Sequence, residues 1–292
     1  MKILILFLAA SFLVTETRAL NLVVPNDHAL IQGDGGNGYP LALAYDDTQH
    51  YQQVYDASQF GLFSTNGGTI NSIAFRGYAP WNRIVYSATL YLSTTSRAVD
   101  GLSTNMSSNL GADNTRVFSG LYTLNAMSSS LPQPLPFDVV IPLQTGFFYN
   151  PTNGNLLLDL TVSDQPATEF AQPYVDDVES TSDSVSRAHR DPFDTHTWLD
   201  SYGAVTEFGV TPVVALKPKI AFIALPGTNL VASGNGGGWG LVYCVLTSTN
   251  LSAPITNWIS ASTNVFDSAG HFNFTNTVDS TLPSQFFRLQ IQ

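Results

Sequence analysis

The sequence predicts an all-β protein: an antiparallel β-sandwich of jelly-roll-like form, followed by a small immunoglobulin-like β-sandwich module. Three observations predict it. Apolar residues alternate with polar ones in several segments, the period-two spacing of a strand with one buried face. Glycine, proline and asparagine turn signals separate these segments, and no helical segments alternate with them. Charged residues make up only 11% of the chain, against about 25% in an average protein, so Ser, Thr, Asn and Gln carry the surface and long helices would find little ion-pair support.

The chain opens MKILILFLAASFLVTETRALN: a positive Lys2, an apolar run from Ile3 to Val14 broken only by Ser11, and the small residue Ala19. That order predicts a secretory signal peptide over residues 1–19, too short to span a bilayer as a helix. The expected mature chain is secreted, extracellular or at the cell surface, and no later segment reads as a membrane span. The following GDGGNG (Gly33–Gly38) matches the G-x-G-x-x-G spacing of a dinucleotide site. Such a site needs a helix immediately after the glycines, and Pro40 disfavours helical geometry at Tyr39. The stretch therefore reads as a flexible turn, with no cofactor. In DDTQHYQQVYDASQFG a helical turn competes with strand or loop.

In TINSIAFRGY, Ile70, Ser72, Ala74 and Arg76 fall on one side and Ile73 and Phe75 on the other. IVYSATLYLSTT alternates less strictly. FDVVIPLQ places Phe137, Val139, Ile141 and Leu143 on one face. NLLLDLTV, PKIAFIAL and LVYCVLTS are short apolar runs that read as strands covered on both faces. A boundary near VTPVVALKPKIAF gives a sandwich domain over 20–216 and a small β-module over 217–292, within which GNGGGWG reads as a loop between two strands. Cys244 is the sole cysteine, so no internal disulfide forms, and its apolar surroundings predict a buried free thiol. Trp258 reads as core.

Charge excludes one partner class. Removing residues 1–19 takes the formal balance from 11 − 22 = −11 to 9 − 21 = −12, and such a chain repels nucleic-acid backbones. Signatures of a zinc protease (H-E-x-x-H) or a serine hydrolase elbow (G-x-S-x-G) are absent from the sequence, and no catalytic residue is assigned. The loop AHRDPFDTHTWLDSYG brings His189, Asp191, Asp194, His196 and Asp200 close in sequence, without a metal-ligand spacing, and reads as a solvated loop. Calcium prefers carboxylate and carbonyl oxygens, which makes Asp100 and Asp113 in VDGLSTNMSSNLGADNT candidates for a structural calcium, with Asp176, Asp177 and Glu179 of YVDDVES as a further acidic group. The alternative for all of them is an acidic turn. Two aromatic pairs, Tyr78 with Trp81 and Trp198 with Tyr202, lie in expected loops and are the candidate ligand-binding residues, since exposed rings stack on sugars.

The segments YQQVYDASQF, INSIAFR, LYLSTTSRAVDGLSTNMSSNLGADNTRVFSG, PFDVVIPLQTGFFYNPTNGNLLLDL and SDSVSRA…GAVTEF occur in one order. Together they resemble the N-terminal domain of secreted bacterial proteins, many carrying a PEP-CTERM sorting tail, over about residues 22–212. YCVLTSTNLSAPITNWISASTNVFDSAGHFNFTNTVDSTLPSQFFRLQ resembles a small β-module that closes many secreted Verrucomicrobia-type proteins. The resemblance implies a β-sandwich without established enzymatic activity. The chain departs from the first family in having no Pro-Glu-Pro motif or basic tail, and residues 189–201 look like an insertion. The expected role is a secreted, non-catalytic bacterial surface or matrix protein that binds extracellular polysaccharide or cell-surface components or acts as an adhesin. The alternative is an extracellular glycan hydrolase using carboxylates in the 176–200 region, which would need two carboxyl groups across a cleft.

Overall fold

Leu156, Leu157, Leu158 and Leu160 are all fully buried, as an apolar run must be when a strand is covered on both faces. They lie in the middle of the larger sheet. The computed structural model describes residues 19–41, 48–63, 66–126, 133–164, 173–179, 184–190, 196–213, 216–238 and 240–291. The signal-peptide expectation falls almost wholly outside these, as do Asp191 and Asp194. The chain divides into two compact units, Leu22–Val213 and Val214–Gln292, the second grouped with the residues up to Asn21. Among the described residues no helix is long and apolar enough to cross a membrane.

The strands associated with the first unit are β1 (Leu20–Val24), β2 (Gly35–Asn37), β3 (Thr48–Tyr55), β4 (Gly68–Phe75), β5 (Ile84–Thr95), β6 (Thr115–Leu124), β7 (Val139–Tyr149), β8 (Asn155–Asp164), β9 (Val175–Val178), β10 (Val185–Arg190), β11 (Trp198–Asp200), β12 (Gly203–Ala204) and β13 (Thr206–Pro212). They form a four-stranded sheet, β1-β13-β4-β7, a six-stranded sheet, β11-β10-β3-β8-β5-β6, and a small sheet, β12-β9-β2. The two large sheets face each other: the Tyr55 ring of β3 meets Phe208 of β13 edge-on at 5.0 Å, and the Tyr55 hydroxyl pairs with Thr206 at 2.9 Å. Phe60, in the 3-10 turn Ala57–Phe63, packs against Phe208 and Tyr149. The fold is an all-β, antiparallel sandwich.

Three local expectations are corrected. β5 alternates strictly from Ile84 to Leu92, its even-numbered residues buried. In β4, Ile70 joins Ile73 and Phe75 in the core instead of lying across from them. The register against β7 shifts between Ile70 and Ser72, and a bulge that adds one residue inverts the facing of everything before it. The third concerns the early glycines. They form strand β2, not a turn, with Gly35, Gly36 and Asn37 opposite Asp177, Asp176 and Val175 of β9. Glycine is needed there for space: a methyl group on Gly36 would lie 2.0 Å from the Tyr78 ring.

The second unit contains β14 (Lys219–Ala224), β15 (Asn229–Asn235), β16 (Val242–Ser248), β17 (Ile259–Val265), β18 (Phe272–Thr277) and β19 (Phe286–Ile291), in two three-stranded sheets, β14-β15-β18 and β17-β16-β19. Tyr243, Phe266 and Phe272 form its aromatic centre, and the Tyr243 hydroxyl donates across to Asn273 O at 2.8 Å, tying one sheet to the other. Cys244 is buried and free of disulfide. β14, expected to be covered on both faces, is instead an edge strand with Phe222 and Ile223 exposed, and Trp258 is half-buried.

Candidate functional site

The connection from β5 to β6 folds back onto the outer face of the six-stranded sheet. Leu102 and Met106 pack on Val54, Leu157 and Ala188, which point outward from β3, β8 and β10. A buried polar lattice secures the loop. Gln52 of β3 donates to Asp159 Oδ2 at 2.9 Å and to Met106 O at 3.0 Å, and accepts from Asn109 Nδ2 at 2.8 Å. Asn109 in turn holds both backbone groups of Ser103. Every one of these side chains is out of water, so an unpaired member would cost more than its bond contributes.

This loop delivers Asp100 to the sheet edge. Asp100 adopts φ 58°, a left-handed conformation in which Asp and Asn are among the few tolerated non-glycine residues, and its N–H donates to Ser186 Oγ of β10 at 2.7 Å. Between the loop and β11 lies a pocket of about 260 Å³ lined by Asp100, Leu102, Ser186, Arg187, Leu199, Asp200 and Ser201. Leu199 and Asp100 are exposed and form its rim.

Arg187 anchors the pocket from below. The β10–β11 register sets it opposite Asp200, and the guanidinium grips that carboxylate in two-pronged fashion, Nε to Oδ1 at 2.7 Å and Nη2 to Oδ2 at 3.0 Å. His189 Nε2 stands 3.4 Å from Asp200 Oδ2. Burial pushes the Asp200 carboxyl up, but hydrogen bonds from His189 and Arg187 outweigh it and hold the group below the ordinary carboxylate range. The guanidinium is also flanked by two rings, Tyr202 at 4.9 Å and Tyr39 at 5.1 Å, and Tyr39 lies 4.0 Å from the His189 ring.

The small sheet supplies more carboxylates behind these rings. Alternation along β9 turns Asp176 and Asp177 to opposite sides. Asp176 is fully buried, pairs with Arg76 at 3.2 Å and accepts from Gly33 N at 2.9 Å. Asp177 is 1% exposed, and neither of its oxygens receives a hydrogen bond of normal geometry. Burial pushes its carboxyl up to about 7, against the opposing effects of the Arg187 charge and the neighbouring Asn37 side chain. Glu179, exposed, accepts from the Tyr202 hydroxyl and pushes that phenol up.

The expected site residues are dispersed. Asp100 and Asp113 do not share a calcium site: Asp113 Oδ1 accepts from Thr94 N at 2.7 Å at the end of β5, while Asp100 is tied to β10, and β3 and β8 run between the two strands. Among the described residues no group of three metal-ligating side chains converges. Trp81 packs inside, 7% exposed, with its indole N–H on Asn125 O at 2.7 Å, so it is separated from the exposed Tyr78, whose ring covers Gly36. Trp198 is 49% exposed with the His196 ring edge-on at 4.7 Å. Tyr202 stands against Arg187 at the site itself. Ser186, Arg187, Leu199 and Ser201 complete the pocket without having been expected: only the β10–β11 register and the back-folded loop bring them together, and neither has a local signature.

A scan against protein-family models finds no match, and a search of curated proteins finds none either.

Proposed function

We propose that the Leu22–Val213 unit is a non-catalytic binding module that holds a sugar unit of an extracellular glycan in the β10–β11 pocket, within a secreted bacterial surface or matrix protein. The observation that carries the reading is the mixed lining of this pocket: the acidic residues Asp100 and Asp200 and the hydroxyl-bearing Ser186 and Ser201 line the same space as the aliphatic Leu102 and Leu199. A pyranose presents that same mixture of hydroxyl rim and apolar ring face. The volume lies just under the roughly 300–1,000 Å³ of drug-sized sites, so one ring, with the rest of the polymer outside, is the natural occupant. The resemblance to secreted bacterial sandwich domains, and the order of features at the N-terminus, support export.

The hydrolase reading draws on one observation, two carboxyl groups pushed apart in acidity, Asp177 upward and Asp200 downward. Against it, Asp177 is sealed from solvent and from any leaving group. The test is a glycan array followed by calorimetry on the best hit. Binding without product formation is expected, and Ser201→Trp, which pushes an indole into the pocket, should weaken it by about ten-fold or more. Cleavage of the bound glycan that disappears in Asp177→Asn would establish the hydrolase instead.

A further inference from the structure

The pocket is charged asymmetrically. Of its three ionic side chains, Arg187 and Asp200 already neutralise each other through two short hydrogen bonds, and both prongs of the guanidinium used there are unavailable to a ligand. Its faces are also covered, by Tyr39 and Tyr202. Asp100 is left as the uncompensated charge at the rim. The one cation of its own loop, Arg97, is turned away onto Ser108, donating from Nη2 to its carbonyl at 3.2 Å. Glu179, exposed on the far side of Arg187, adds to the negative field, as does the chain's formal charge of −11. Asp100 is held rather than loosely displayed: its backbone N–H donates to the Ser186 hydroxyl, which fixes its left-handed conformation.

Resting on the binding reading above, we infer that the pocket selects by charge: it takes a glycan unit bearing a free amine, an amino sugar, with the ammonium group against the Asp100 carboxylate, and rejects uronate or sulfated units. A carboxylate ligand would meet Asp100 with no free cation among the described pocket residues to offset it, whereas an ammonium group completes a rim ion pair. The pair is solvent-facing, so the preference is modest and weakened by salt.

Calorimetry on the full mature chain with three matched oligosaccharides tests this: glucosamine, N-acetylglucosamine and galacturonate oligomers, at low and at physiological ionic strength. The glucosamine oligomer should bind about two- to five-fold more tightly than the N-acetylated one at low salt, and the galacturonate oligomer most weakly. Asp100→Asn removes the charge while keeping a side chain that tolerates the left-handed backbone, and should erase the amine preference, so that the glucosamine and N-acetylglucosamine oligomers bind alike at low salt. Equal or tighter binding of galacturonate, or an amine preference that survives Asp100→Asn, overturns the inference and leaves the binding module standing. Failure of all three ligands to bind overturns both.

Discussion

Asp177 is the residue whose chemistry is most altered by the fold. An unfolded aspartate titrates near 3.8, and in the folded protein this one titrates at about 7. The native state therefore keeps a proton that the unfolded chain releases. The stabilisation from that proton is complete below the unfolded value, declines as pH rises between the two, and is gone above about 7. A three-unit difference corresponds to roughly 4 kcal/mol at most. Urea titrations from pH 4 to pH 8 should show the first unit losing stability as pH rises, and Asp177→Asn, which is neutral throughout, should flatten that loss and be more stable than the parent at pH 8. An unchanged slope in the variant would mean the carboxylate is comfortably ionised in its niche. Asp200 behaves oppositely. Its folded acidity is strengthened, so it contributes stability at neutral pH that is lost only in acid, as it protonates and releases Arg187.

At the scale of elements, two glutamines do work that backbone usually does. Gln53, on the inner face of β3, donates to Ala204 O at 3.0 Å and accepts from Ala204 N at 2.9 Å, so a side-chain amide docks β12 against the large sheet. Gln53→Ala would take the partner from the Ala204 N–H and from the buried Tyr51 hydroxyl, Ala204 O keeping its bond from the Thr206 hydroxyl, and a loss of about 2 kcal/mol or more in chemical denaturation is expected. Gln144 of β7 does the same for Ser119 on the outermost strand β6, accepting from its N–H at 3.1 Å and donating to its carbonyl at 3.0 Å. This site is exposed, so Gln144→Ala should cost under about 1 kcal/mol yet accelerate hydrogen exchange at the Ser119 amide several-fold and leave a bare edge prone to association. Such contacts mark the limit of what the chain's pattern disclosed. The unbroken leucines of β8 were legible because burial of a run is a local property, whereas the strict alternation of β5 was not, since polar Ser, Thr and small Ala letters blur its two faces. The bulge in β4 was not, since its register is set by β7 and β13. Nor was the exposure of β14, because an edge and a central strand carry the same apolar letters. The pocket had two legible members, Asp100, picked out for calcium, and Asp200, picked out in a loop read as solvated and among the carboxylates of the hydrolase alternative, with Trp198 and Tyr202 close to Asp200 in the chain. Arg187 sits in a short polar strand with no motif, and its partners come from loops far away in sequence.

At the scale of the whole molecule, each unit has its own core: Tyr55, Phe60 and Phe208 in one, Tyr243, Phe266 and Phe272 in the other. Separate cores predict separate cooperative melting, so calorimetry of the mature chain should resolve two transitions, and a chain ending at Val213 should reproduce one of them unshifted. The pH response of Asp177 should then move only that one. A single merged transition, abolished by truncation, would contradict independent folding. The solitary thiol offers a way to watch the other unit alone. Cys244 lies 5% exposed on the central strand of the small module, and the sandwich contains no sulfhydryl to compete with it. A thiol-reactive dye therefore becomes a clock for that module: labelling proceeds only as fast as β16 breathes, and the first unit, whatever it has captured, stays silent.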